Sequence, residues 1–256
     1  MNENEAYHAD TSRISKSGLD LINKAPALYF HRYFGVKNKQ KSVEALLFGT
    51  GFHTFILEPE KIETDLAVEP IFRGVGSQSK KTEWRELNSD KTIITTDQHI
   101  HILGMRTAVY RHPIANQLLA NGVAEEEFNW IDESTGVKCK CKPDFRTNNG
   151  YLLDLKSAKD ASNYGFQKQA RQHRYHVQDA FYSDGVSESG ETVKGFIFIA
   201  VEKEPPYLVN VFKYNEYERD LAREIYRQDL SIYNECKETD SWPGYEEKIH
   251  ELRVEY

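Results

Sequence analysis

The stretch that most constrains this chain is Lys142-Pro143-Asp144, followed after nine intervening residues by Asp154-Leu155-Lys156. It sets two carboxylates and a lysine on two short apolar runs joined by a tight turn. Val137–Phe145 reads as a strand with alternating charges, Lys138-Cys139-Lys140-Cys141-Lys142, and Tyr151–Leu155 as a second strand. Thr147-Asn148-Asn149-Gly150 between them is turn chemistry, because Asn and Gly tolerate positive φ. A hairpin of that shape brings Asp144 beside Asp154. Two carboxylates a few ångströms apart repel each other unless a cation lies between them. Hard oxygen ligands with positions left for water suit Mg²⁺ or Mn²⁺. Lys156 projects from the same strand face as Asp154, where an ammonium can orient a nucleophilic water or stabilise charge on a phosphate. Together these are the minimal kit for metal-dependent phosphodiester hydrolysis. Either half alone has a plainer use, Asp-x-Lys on a solvated strand and Pro-Asp in a turn; the pair at hairpin spacing points to a site.

A length of 256 residues allows one large domain or two small ones, and nothing within it reads as a linker, so a single domain over 1–256 is expected. Hydrophobic residues make up 39%, with 15 Tyr and 13 Phe, enough for a substantial core. No apolar run is long enough to span a membrane. Met1-Asn2-Glu3-Asn4-Glu5 is polar and acidic, unlike a secretory signal. Cys139, Cys141 and Cys236 make neither a disulfide framework nor a four-thiolate metal set. A cytoplasmic, reducing setting is therefore expected, with Cys139 and Cys141 filling the inner strand face as small hydrophobes. A net charge of −7 argues against binding nucleic acid by bulk charge and leaves room for an enzyme with a local basic groove.

Along the chain, Ser15 and Ser17 are candidate N-caps for a helix over Ser15–Leu21, and Pro26 opens an aromatic helix, Ala27–Phe34. Glu44–Leu57 is an apolar helix ended by Pro59. Residues 60–90 are weakly patterned, and Arg73–Lys81 reads as a loop. Thr96–Asn121 is helical with a break before Pro113. Ala124–Ile131 starts the sheet and Asp132–Gly136 turns it. Ala161–Ser183 has a helical period, Gly195–Val201 is a buried-strand run, Tyr207–Tyr214 another strand, and Asn215–Glu238 a long amphipathic helix. The order is that of an α/β fold with a mixed sheet flanked by helices.

Four further features converge on the hairpin. Glu125 lies on the strand before it, a third carboxylate at the same sheet edge. Alternation with Phe128 and Trp130 groups Glu125 with Glu127 and leaves register undecided between them. Gly49-x-x-x-His53 puts an imidazole on an apolar helix where Gly permits close backbone approach; a lone His there is also a common satisfied core residue. Gln178 and Tyr182 lie one turn apart on one helix face. Arg13 and Lys16 flank Ser15 and Ser17 at a helix start, a place for a phosphate. Arg171, His173, Arg174 and His176 form a candidate basic face.

This set resembles the PD-(D/E)XK nuclease superfamily and, within it, the RecB-like branch, which pairs a Gly-x-x-x-His helix with the carboxylates, Asp-x-Lys and a Gln-x-x-x-Tyr helix. The phrases Leu47–Pro59, Thr135–Asp144, Tyr175–Tyr182 and Val201–Tyr207 are similar to exonuclease domains of the exodeoxyribonuclease VIII type and their phage relatives. The resemblance implies a restriction-endonuclease-like core and Mg²⁺-dependent 5′→3′ degradation of linear double-stranded DNA. It also implies a trimeric or tetrameric ring working beside a single-strand annealing protein, in phage-type or bacterial recombination. It places Asp144, Asp154, Lys156, Glu125, Gln178 and Tyr182 in the active site, favours Glu125 over its neighbours, moves His53 towards the metal, and offers Arg13 and Ser17 as phosphate contacts. The superfamily often has Glu where this chain has Asp154. The shorter side chain would draw a metal towards the backbone, which makes the Leu155 carbonyl a candidate ligand. An endonuclease or single-strand nuclease on the same fold, or an inactive DNA-end-binding scaffold, would share most of these features; the intact Asp144, Asp154 and Lys156 set argues against the last.

Overall fold

A computed structural model of the chain describes Tyr7, residues 9–35 and residues 44–252; the acidic Met1–Glu5 lies outside them. Helices α1 (Lys16–Lys24) and α2 (Pro26–Tyr33) come first, Pro26 taking the first helical position, where no N–H is needed. Then follow α3 (Glu44–Leu57), a 3-10 turn at Pro59–Lys61, α4 (Ile62–Asp65), β1 (Leu66–Glu69), α5 (Ser77–Leu87) and β2 (Thr92–Thr95). Helix α6 (Thr96–Arg111) starts on a reciprocal cap between Thr95 and Gln98 and gives way to α7 (Pro113–Leu118) at the expected proline. The remaining elements are β3 (Gly122–Ala124), β4 (Phe128–Ile131), β5 (Lys138–Cys141), β6 (Phe145–Thr147), β7 (Tyr151–Ala158), α8 (Asn163–Gln172), α9 (Tyr175–Glu188), β8 (Gly195–Glu202), β9 (Val209–Phe212) and α10 (Glu216–Thr239).

Strand order in the main sheet is β3-β6-β7-β8-β9, antiparallel except for the parallel pair β7–β8, whose crossover is α8 and α9. Period-two alternation divides the core between the two sheet faces. Leu153, Leu155, Ile199 and Val201 pack on Phe52, Phe55, Ile102 and Met105 of α3 and α6. Leu152, Phe196, Phe198 and Ala200 pack on Phe166, Ala170 and Tyr175 of the α8–α9 side. A third cluster joins α1, α2, α9 and α10, where Tyr29 stacks on Trp242 at 5.7 Å and meets Tyr233 edge-on at 5.0 Å. Arg219 of α10 donates to buried Asp179 of α9 at 2.7 Å, so that buried charge is paired. No helix among the described residues is long and apolar enough to cross a membrane.

The mixed α/β plan matches the sequence, and the differences have local causes. Val137–Phe145 is not one strand: β5 pairs with β4 in a separate ribbon, while β6 joins the main sheet. Pro143 has no N–H to give a ladder, so the chain changes sheets there. Ala124–Ile131 is likewise broken, at Glu125, whose φ of 51° is left-handed. Lys140 is buried instead of alternating outward, its ammonium donating to the carbonyls of Asp10, at 2.7 Å, and Tyr7. Residues 60–90 hold β1, which pairs in parallel with β2 just beyond them, and α5, which takes up most of the expected loop after Gly74 and Gly76 turn with positive φ. The period across Ala161–Ser183 belongs to two helices, separated at Arg174 with φ 51°. Helix α10 begins as expected on Asn215, which accepts from Glu218 N at 2.9 Å.

Close approach on α3 falls at Gly51, not Gly49. A Cβ on Gly51 would meet Ile102 and Ile94 at 3.1 Å, whereas one on Gly49 meets nothing within 4 Å. On α9, a Cβ on Gly185 would lie 2.4 Å from the Trp130 ring. Gly49→Ala should therefore raise thermal stability by about 0.5–1 kcal/mol, the helical gain of alanine over glycine. Gly185→Ala should lower the melting temperature, because a packed indole must move. Melting curves of the two variants check both signs.

Candidate metal centre and active site

The site forms where the chain leaves one sheet for the other. Glu125, in its left-handed turn after β3, donates its N–H to Asp144 O at 3.0 Å, which locks the two links side by side. Asp144 directly precedes β6 and accepts from Leu155 N at 2.6 Å through Oδ2. Asp154 shares the parity of Leu152 on β7, so it faces α9 and is sealed from solvent. There the Gln178 amide donates to its Oδ2, and Lys156 Nζ lies 2.5 Å from its Oδ1. Oδ1 makes no hydrogen bond of good geometry with any described group.

His53 reaches the same point from α3, on the other face of the sheet. Its Nε2 is 2.9 Å from Leu155 O and 3.7 Å from Asp144 Oδ2, and its Nδ1 is 3.8 Å from Glu125 Oε1. Lys142 Nζ holds Glu125 Oε2 at 3.0 Å. One ligand atom each from His53, Glu125 and Asp144 lie within 4.8 Å of one another. Carboxylate oxygens, a backbone carbonyl and a single imidazole form a donor set for a hard divalent cation such as Mg²⁺ or Mn²⁺.

The charges are strongly coupled. Burial, and then the charge of Asp154, push the Asp144 carboxyl well above its ordinary range. Burial opposes the charged form of His53, but Asp144, Glu125 and Asp154 overcome it and raise its pKa. Burial also opposes ionisation of Glu125, yet His53 and Lys142 hold it below its usual range. Lys156 is raised despite burial because Asp154 and Asp144 surround it. Its ammonium also sits 4.7 Å over the Tyr175 ring.

Asp144, Asp154, Lys156, Glu125, Gln178, His53 and the Leu155 carbonyl thus come together. Asp154 is engaged by Lys156 and Gln178, and Glu125 joins Asp144 and His53 in the tight cluster. The register question closes in favour of Glu125, since Glu126 pairs with Arg146 at 2.6 Å and Glu127 accepts from the Asn129 side chain at 2.9 Å. Tyr182 lies behind Gln178 with its ring edge-on to Phe196 at 6.0 Å; burial first, then neighbours that include Asp154 and Asp144, keep its hydroxyl protonated. Arg13 is paired with Asp10 at 3.2 Å and Ser17 Oγ with Ser15 Oγ at 3.0 Å. No contact among the described residues joins either to the cluster. The residue of that helix start that does come near is Lys16, whose pKa falls through burial and, in part, the charges of Lys156 and Arg174.

Sequence reasoning missed Lys142 as the partner of Glu125 and Tyr175 as the platform under Lys156. Lys142 was visible inside the first charged triplet but read as one of several strand charges. Nothing in the spacing links an aromatic at the start of α9 to a lysine on β7.

A family model described as a PDDEXK-like domain of unknown function (DUF3799) matches residues 15–255. No curated protein sequence matches. Among solved structures, a provisionally named exonuclease from Eubacterium rectale superposes with a TM-score of 0.67 at 14% identity, covering 100% of this chain and 96% of its own. A phage-related exonuclease from Haemophilus somnus 129PT gives a TM-score of 0.40 at 11% identity, covering 90% of this chain and 96% of its own. The first likeness shows a shared fold; the second, at that score, adds nothing to it.

The raised Asp144 carboxyl carries a stability cost with a defined pH window. Well below the ordinary Asp value of 3.8, Asp144 is protonated in the folded and unfolded chain alike and costs nothing. As pH rises, the unfolded chain ionises first, and the folded state loses stability until its own carboxyl ionises. Asp144→Asn keeps an acceptor for Leu155 N and removes the charge. In EDTA it should stabilise the protein at pH 8 by at least about 1 kcal/mol, since each tenfold weakening of an acid on folding corresponds to about 1.4 kcal/mol, and the gain should shrink towards pH 4. Melting of the two proteins across that range measures it.

Proposed function

The chain belongs to the family of PDDEXK-like domains, and so to the PD-(D/E)XK nuclease superfamily, and on that footing we propose that it is a divalent-metal-dependent deoxyribonuclease that shortens linear double-stranded DNA from its ends. The observation that carries this reading is the meeting of Asp144, Glu125 and His53 in one tight cluster beside the Asp154–Lys156 pair. Asp144, Glu125, His53 and the Leu155 carbonyl would hold the cation, with Asp154 alongside. The raised Asp144 carboxyl fits a missing positive charge. A Mg²⁺ or Mn²⁺ ion there supplies Lewis-acid activation of water and neutralises charge on the phosphate.

The protein groups then have distinct tasks. Two carboxylates keep Lys156 charged, so it serves as an electrostatic anchor for the phosphate and its water and not as a proton acceptor. Gln178 fixes the rotamer of Asp154, and Lys142 that of Glu125. His53 donates to Leu155 O only when Nε2 is protonated; as a ligand through that atom it must release the proton, so cation binding and proton loss are coupled. No nucleophilic Ser or Cys is required.

Linear duplex should be degraded with Mg²⁺ or Mn²⁺ and not with Ca²⁺ alone or EDTA. Asp154→Ala and Lys156→Ala should each lower the rate by about 10²-fold or more, with Lys156→Ala retaining DNA binding. Full activity in EDTA would sink the reading, and cleavage of closed circular plasmid would make the enzyme an endonuclease. The motif resemblance favours 5′→3′ polarity, a trimeric or tetrameric ring, and action beside a single-strand annealing protein in recombination. Duplexes labelled at one end or the other read the polarity. Sedimentation at micromolar concentration reads the assembly, for which a monomer would be the contrary result.

A further inference from the structure

Residues 161–178 contain no Asp or Glu, in a chain that carries 40 of them. The structure divides the cations of this stretch into two groups. Arg174 turns inward onto Asp20 at 3.0 Å and Asp229 at 2.5 Å. Lys168 and Arg171 remain exposed on α8, and no ion-pair partner for either lies among the described residues. Helix α8 buries Phe166 and Ala170 against the sheet. On its opposite face Tyr164, Lys168 and Arg171 fall at i, i+4 and i+7, one continuous stripe. Tyr164 is 82% exposed, with no ring stacked on it among the described residues. The nearest acid in sequence, Asp160, is folded back onto the start of the helix: its Oδ1 accepts from Ser162 N at 2.8 Å, and its carboxyl lies against Gly165.

The stripe adjoins the site. Gln169 of α8 donates to the Tyr175 hydroxyl at 3.1 Å, and Tyr175 is the ring under Lys156. His173, just past the helix, gives its carbonyl to Lys16 Nζ at 2.6 Å. Tyr164 lies about 8 Å further along the helix axis than Gln169, at 1.5 Å per residue. Lys168 and Arg171 are neighbours on the helix surface, about 5–6 Å apart at Cβ, close enough to take adjacent phosphates.

We infer that this face of α8 carries single-stranded DNA beside the cleavage site, with Lys168 and Arg171 on the phosphates and Tyr164 stacked on a base. The inference rests on the nuclease reading and adds the strand that the enzyme grips. A flat, solvent-facing ring can stack only on a base whose face is open, which a paired base inside a duplex does not offer. That selects the bases of a single strand over the interior of a duplex, and the blunt-ended arm of the test separates a single strand from the one open face at a duplex end.

The test is fluorescence anisotropy of a labelled single-stranded oligodeoxynucleotide and of a blunt hairpin duplex, in Ca²⁺, across a KCl series. Tyr164→Ala should weaken single-strand binding about fivefold or more, with an unchanged salt slope and unchanged duplex binding. The Lys168→Ala/Arg171→Ala pair should reduce the slope by about 1.4, at roughly 0.7 per lost phosphate contact. Lys237→Ala/Lys248→Ala, remote from α8, should do neither. All the substituted side chains are at the surface, so matching melting curves control for folding. If wild type binds the oligonucleotide and both α8 variants bind equally well with the same slope, the stripe is refuted while the nuclease stands. An equal loss on blunt duplex overturns the single-strand assignment. Absence of any DNA binding by wild type removes the nuclease reading and the stripe with it.

Discussion

The repulsion among Asp144, Asp154 and Glu125 is the cost around which this structure is organised. Burial strengthens that repulsion by lowering the local dielectric, and it strengthens each compensating contact as well. Two kinds of compensation are present. Lys156 and Lys142 supply charge at 2.5 and 3.0 Å. The Leu155 N–H and the Gln178 amide supply dipoles that fix two carboxylates without cancelling them. With all three carboxylates ionised, two ammoniums leave one negative charge, and the raised pKa values of His53 and Asp144 both answer to it. The proton on that imidazole is the charge that balances the cluster when no cation does. On the proposed reading, a site built this way would exchange a proton for a metal.

The carboxylates are brought together by interruptions of the ladder. A regular strand through Ala124–Ile131 would alternate Glu125, Glu126 and Glu127 across the sheet. The left-handed turn at Glu125 ends that alternation and aims the side chain at His53 and Lys142. A regular strand through Val137–Phe145 would hold Asp144 in a ladder. Pro143 ends that strand and leaves Asp144 at the mouth of β6, its carboxylate free to cap Leu155 N. The two breaks face each other through the bond from Glu125 N to Asp144 O. Strained or irregular backbone at the functional centre, supported by regular elements around it, is the usual division of labour.

Much of this was readable from residue types alone. The turn at Asn148–Gly150, the face shared by Asp154 and Lys156, the end of α3 at Leu57 and the span of α10 follow from local chemistry, and the structure keeps them. The choice of Glu125 came from the motif resemblance and was not readable from register, because period-two reasoning assumes an unbroken strand and the break is what decides the matter. The parallel β1–β2 pair was hidden for a different reason: four-residue strands separated by a helix carry too little pattern to stand out. The phosphate pocket drawn around Arg13 and Ser17 failed to reach the cluster because Asp10 and Ser15, local partners within three residues, hold those side chains. Lys16, in the same segment, arrives at the site by packing under His173, a contact between residues 157 positions apart.

The overall charge of −7 and a DNA substrate are compatible once distance is considered. At physiological ionic strength exposed charges more than about 8 Å apart are largely screened from each other. A strand lying on α8 therefore feels Lys168 and Arg171 at contact distance and little of the acids spread over the far surface. Inside the site, where solvent is excluded, screening is weaker, and the cluster itself would repel a phosphate. Lys156, and a cation held as proposed, would reverse that local sign. On that reading, removal of the cation would cost twice, once in chemistry and once in the ability to tolerate a phosphate at the cluster, and would leave the grip on a strand further along α8 untouched. On the proposed reading, affinity and turnover would be carried by different cations of the same protein, Lys168 and Arg171 on α8 and Lys156 on β7.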